Sequence, residues 1–178
     1  MNDKVISLQR YESYLQEFVG QSLSEFYYII DRTVVFEAGK RYQVGESTVR
    51  GETIPSYKSE YELWLDGDWD YKKDGQIIQS TAVRPGEDGH MFRKRIGDFI
   101  EGINPKKVTA ITVSDDGKQA VLSLDIGGQF VVKADGYQFV NYTRCEFSKE
   151  GQLVSIHQTQ PNPSGVLIHT DVESSPIV

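Results

Sequence analysis

The residues of this chain that could do chemistry are few, and proton transfer is the chemistry they fit. His90 leads, because imidazole is the side chain that ordinarily gains or loses a proton near neutrality. The alternative is a structural or exposed histidine beside a helix start, since it follows Gly89. Asp125 lies in Ala120-Val-Leu-Ser-Leu-Asp-Ile126, opposite the stripe of Ala120, Leu122, Leu124 and Ile126. Walled by aromatic rings and desolvated, it could act as an acid or base; on a solvated sheet face it would do neither. Asp31 divides the same way, between a pocket base and the polar end of a helix. Strand alternation puts Asn141 and Thr143 on one face with Tyr137, Phe139, Cys145 and Phe147. There they could orient a substrate carbonyl or hydroxyl, or satisfy each other. The same alternation sets Val154, Ile156 and Gln158 on one side of the last strand and Ser155 and His157 on the other, making His157 a surface residue. Tyr11 and Tyr14, on the first helix, could each send a hydroxyl into a pocket or simply pack in the core.

Sharper motifs fail. Asp66, Asp68 and Asp70 alternate like the start of a calcium loop, but Tyr71 and Ile77 stand where glycine and a bidentate acid are required. His90, His157 and His169 have no metal-ligand spacing, although folding could still bring two together; no metal and no cofactor is expected. No glycine-rich phosphate loop or Gly-x-Ser-x-Gly elbow occurs. The one cysteine, Cys145, excludes an intramolecular disulfide and is expected as a small buried hydrophobe.

Composition narrows the class further. The 178 residues fit a single domain, and 19 basic against 26 acidic residues give a net charge of −7, against nucleic-acid binding. No apolar run spans a bilayer and the first residues do not read as a signal peptide, so no membrane contact and a cytoplasmic location are expected. Ten Tyr, eight Phe and two Trp are the unusual feature, and they favour an apolar pocket.

These residues need elements to hold them. Leu8, Tyr11, Leu15, Phe18 and Val19 share a helical face between an Asn2 or Asp3 cap and Gly20. Ser22-Leu-Ser-Glu25 fits a capping box, predicting a second helix to about Asp31 with Leu23, Phe26, Tyr27 and Ile30 buried. Thr33-Val-Val-Phe36 reads as a strand and residues 38–58 as loop. Asp66-Gly67 and Asp74-Gly75 predict the turns of a three-stranded meander over residues 60–80. His90 to Gly102 reads as a helix burying Phe92, Ile96, Phe99 and Ile100. Strands follow at 108–113, 120–126, 129–133, 137–147 and 153–160, separated by glycine-bearing turns. The end reads as a tail, over the surface or disordered beyond about residue 165.

Helices first and a long antiparallel meander last predict an α+β fold: a curved antiparallel sheet wrapped around N-terminal helices as a cone, an α+β barrel with an apolar mouth. Asp31 with Thr33-Val-Val-Phe36, Gly89-His90 opening a helix, and the hairpin from Gly136 to Leu153 carry a resemblance to the nuclear transport factor 2-like superfamily. Within it the chain resembles the SnoaL-like, phenazine-biosynthesis and ketosteroid-isomerase branches. The likeness spans about residues 4–162, with an extra β-rich insertion at about 40–85. It implies one cone domain over 1–165 with a tail at 166–178, a homodimer, and a small hydrophobic ligand. It also implies proton-transfer catalysis of isomerisation, cyclisation or dehydration on a cyclic metabolite. His90 is then the nearest match to a pocket histidine, and Gln158 falls where the phenazine branch has a carboxylate. In this reading His90 or Asp125 moves the proton, Asn141, Gln158 or Tyr14 holds an oxyanion, and Trp64, Trp69, Tyr137 and Phe139 wall the pocket. The rival reading is a non-catalytic ligand-binding or dimerisation module, with exposed aromatics at residues 61–71 serving as interface or lid.

Overall fold

A computed structural model describes residues 2–30, 32–136, 138–162 and 164–173. Among these, the elements in chain order are β1 (Asn2–Val5), α1 (Leu8–Gln16), β2 (Leu23–Tyr28), β3 (Val34–Val49), β4 (Glu52–Leu65), β5 (Asp68–Lys73), β6 (Gln76–Ser80), α2 (Gly89–Gly102), β7 (Val108–Val113), β8 (Gln119–Leu124), β9 (Gly128–Lys133), β10 (Val140–Phe147), β11 (Leu153–Pro161) and β12 (Leu167–Glu173). The α+β, antiparallel character is as expected. The strands form two open sheets, a seven-stranded one in the order β1-β12-β11-β10-β4-β3-β2 and a five-stranded one in the order β6-β5-β9-β8-β7.

One apolar core joins both sheets and both helices. Phe36 on β3 meets Phe130 on β9 edge-to-face at 5.9 Å, and Phe130 also meets Trp69 and Tyr71 on β5 at 5.1 Å each. Tyr11, Leu15 and Phe18 fill it from the α1 side, and Ile96 and Ile100 from α2. Ser7, not Asn2 or Asp3, caps α1 by accepting the Arg10 N–H, because Asn2–Val5 pairs with β12 as a strand. Asp88 caps α2 by accepting the His90 and Met91 N–H groups.

Several regions differ from expectation. The predicted second helix is β2, whose Phe26 lies opposite Phe36 with ring centroids 4.8 Å apart. Cross-strand aromatic pairing outweighs the local capping signal there. The predicted loop at 38–58 is most of a long β3–β4 hairpin. Its tip, Arg50-Gly51, has φ of 52° and 84°, the primed-turn geometry also found at Asp74-Gly75 with 51° and 76°. Arginine is an unusual residue there, so the tip carried no sequence signal.

Asp66-Gly67 is not a hairpin turn but the crossover between sheets. A Cβ at Gly67 would collide with the Lys133 carbonyl, so glycine permits this close approach. Residues expected as tail form β12, paired with both β1 and β11. The expected single meander after residue 108 likewise divides, β7–β9 joining one sheet and β10–β12 the other. Trp69 and Tyr71, expected as exposed aromatics, are buried in the core.

Candidate functional site

Alternation along β3, β4 and β10 fixes which side chains share a face of the seven-stranded sheet. Val34, Phe36, Ala38, Leu63, Leu65, Val140 and Tyr142 face the core. The predicted inward face of β10 is therefore the outer one: Asn141 pairs with Trp64, and Thr143 with Glu62 and Gln158. The reason is that both faces of this central strand are largely covered, so apolar count alone misjudged which one meets the core. Ser155 and His157 likewise lie on the core side of β11, across from Glu146 and Arg144.

Asp66, Glu37 and Glu62 are among the carboxylates of the outer face. Asp66, just past the end of β4, lies against a cavity of about 490 Å³ lined by Arg32, Thr33, Thr81, Val83, Phe92 and Gln138. Thr33 donates to Asp66 Oδ1 at 3.1 Å, and the Asn141 amide donates to Oδ2. Burial raises the Asp66 carboxyl above the ordinary aspartate range, against smaller lowering by Thr33, Asn141 and Arg32. Asn141 Oδ1 is buried with no hydrogen-bond partner among the described residues. Arg32 brings a cation to the same wall, where it pairs with Asp68 and donates to Gln138. The buried Trp69 indole N–H donates to the Arg32 carbonyl at 2.7 Å and fixes the loop that carries it.

Further along the same face Glu37 and Glu62 are direct cross-strand partners, both buried. Ser59 donates to Glu37 at 2.6 Å, Tyr27 donates to it at 2.7 Å, and the Trp64 indole donates to Glu62 at 3.2 Å. Desolvation raises the Glu62 carboxyl, with Lys58 opposing it. Burial also pushes the Cys145 thiol up to about 11, which leaves it protonated and unreactive at neutral pH.

The expected site residues are scattered relative to this cavity. His90 is exposed at the start of α2, and Asp125 is exposed in the β8–β9 turn, where it accepts the Lys106 N–H at 3.0 Å. Asp31 and Tyr137 lie outside the described residues. Tyr11 is buried, and its hydroxyl donates to the Val140 carbonyl. Phe139 lines a second cavity of about 520 Å³ between the start of α1 and the β11–β12 turn. Trp64, Asn141, Thr143 and Gln158 do share one face, and Asn141 alone of these touches Asp66. Sequence reasoning missed Asp66, read as a turn, and Glu37 and Glu62. An acid alternating with apolar residues, as in Tyr-Glu-Leu-Trp-Leu, was the available signal for Glu62.

Tyr14 leads to another polar group. Its ring stacks on His169 at 4.5 Å, and His157, His169 and Asp171 are the ligand types that converge among the described residues. Comparison with protein-family models, curated proteins and solved structures found no match, so the geometry alone supports the functional reading.

Proposed function

We propose that the chain binds a small, partly apolar molecule in the Asp66 cavity and moves a proton on it. The observation that carries this reading is a desolvated carboxylate and a guanidinium on the wall of one cavity, with Phe92 and Val83 as apolar surface. Asp66 would remove a proton from carbon next to a carbonyl and return it at another position. Arg32 would stabilise the enolate oxygen formed in between. The reaction class is that implied by the SnoaL-like resemblance, with the proton-handling role moved from His90 or Asp125 to Asp66. A cone-like enclosure and a homodimer belong to the same proposal. The internal hydrogen bonds already made by Asp66 and Arg32 favour one rival, a binding module without turnover.

Deuterium exchange into a small cyclic ketone in D2O separates the two without knowledge of the natural substrate. Exchange above the buffer rate, lost in Asp66→Asn while NMR shifts at Thr33, Phe92 and Gln138 show retained binding, supports catalysis. Binding without exchange leaves the module. No ligand-induced shift in the cavity across a fragment library overturns both.

A further inference from the structure

A second site lies on the core side of the seven-stranded sheet, beyond the apolar region, where α1 ends and β10, β11 and β12 run side by side. Register places His157 directly opposite Asp171, and His169 two residues before Asp171 on the same face. His157 Nδ1 hydrogen-bonds Asp171 Oδ1, and His169 Nε2 lies 2.8 Å from the same oxygen. The three ligand atoms lie within 4.8 Å of one another.

Each imidazole is also held on its far nitrogen. Thr159 Oγ1 lies 3.1 Å from His169 Nδ1, and Ser155 Oγ and Glu146 Oε1 lie 3.2 and 3.3 Å from His157 Nε2. Tyr14 stacks on His169 with an interplanar angle of 8°, and the two imidazoles are stacked at 9°. Two oriented imidazoles, one carboxylate and outer partners on both rings are the arrangement in which protein metal sites hold their ligands. Side-chain exposures of 8% for His169, 21% for His157 and 32% for Asp171 make the group anchored on one side and open on the other.

We propose that His157, His169 and Asp171 bind a divalent transition-metal ion of the zinc class, leaving a coordination position open toward solvent. Imidazole and carboxylate donors suit such ions better than calcium or magnesium, which take oxygen alone. Ligand atoms about 2.0 to 2.2 Å from a tetrahedral zinc are roughly 3.3 Å apart, so binding opens the contacts to Asp171 slightly and brings the three atoms, which lie within 4.8 Å of one another, to equal spacing. The ion takes the place of the hydrogen bond between His157 Nδ1 and Asp171 Oδ1. The same residues do not make a serine nucleophile. Ser155 is buried, and its hydroxyl donates to Glu146 Oε2 at 2.8 Å instead of serving His157.

The test uses the full chain stripped with EDTA. Zn²⁺ titrated calorimetrically should bind at one equivalent, and Co²⁺ should give the intense visible bands of a tetrahedral site. His157→Gln and Asp171→Asn should weaken binding by more than about tenfold, and Thr159→Val, acting through His169, by roughly tenfold. Circular dichroism of the metal-free variants checks that they fold. Paramagnetic Co²⁺ shifts in the wild-type protein locate the ion if a variant does not. Shifts centred on His157 and His169 support the site. Shifts centred on the Asp66–Asp70 run, binding unchanged in Asp171→Asn, or no saturable binding at millimolar metal would each overturn it.

Discussion

Two sets of carboxylates in this molecule are pushed in opposite directions. Asp66 and Glu62, on the outer face of the seven-stranded sheet, are raised by burial, which outweighs the nearby Arg32 and Lys58 cations, and their side-chain hydrogen-bond donors Thr33, Asn141 and Trp64 are neutral. Glu87, before α2, is held down to about 2, chiefly by its hydrogen bond from Arg95. The Arg95 Nε to Glu87 Oε1 distance is 2.6 Å, and the same guanidinium donates to the Ser80 and Ala82 carbonyls. A carboxylate matched by a cation stays charged and ties segments together. One placed against neutral groups in a desolvated face is drawn toward neutrality, the state from which a proton can be given or taken.

Four variants would break or sharpen this contrast. The largest effect is expected for Phe130→Ala, since that ring meets Phe36, Trp69 and Tyr71 in the core shared by both sheets. A loss of about 3–5 kcal/mol in denaturant titration is expected, as for other buried aromatics. A loss confined to the five-stranded sheet in hydrogen exchange would show instead that the sheets are held independently.

Glu87→Gln comes next. Because the folded Glu87 is depressed, its stabilisation is present above pH ~4.5 and disappears as the pH falls toward about 2. The variant should melt a few degrees lower than wild type at pH 7 and alike at pH 2. Equal melting at both would detach Arg95 from the stability of this region.

Glu62→Gln should act with the opposite sign and more weakly. A raised carboxyl makes the folded state hold its proton longer than the unfolded chain, so wild-type stability falls as pH rises above about 4.5. The glutamine variant should therefore gain about 1 kcal/mol at pH 8 and nothing at pH 4, read by denaturant midpoints. Destabilisation at pH 8 would mean that the Glu62 charge is needed by Lys58, whose ammonium lies 3.9 Å away. The smallest effect is expected for Lys94→Ala. Its pair with Asp98 on α2 is exposed, and no measurable change in melting temperature should follow.

How much of this was legible depended on the range over which each signal acts. The α2 span, the Asp74-Gly75 hairpin and the burial of Tyr11, Leu15 and Phe18 followed from local turn and helical-period signals. Ser22-Leu-Ser-Glu25 is the counterexample: a good local helix start lost to pairing of Phe26 with Phe36. The candidate sites were harder to read. Asp66 belongs to a crossover that looks like a turn, and its setting depends on Thr33 and Asn141, 33 and 75 residues away.

By itself, the sequence called for a third helix where β2 runs, but it determined that this chain makes antiparallel strands, where α1 and α2 lie, and which side chains alternate together along each strand. That much is fixed by backbone geometry, with period two in strands and 3.6 in helices. Only the tertiary structure decided which alternating set meets the core, because burial is a property of what lies across from a strand. It turned Asn141 and Thr143 outward, and it brought His157, His169 and Asp171 to one point from two strands whose pairing no local spacing announces.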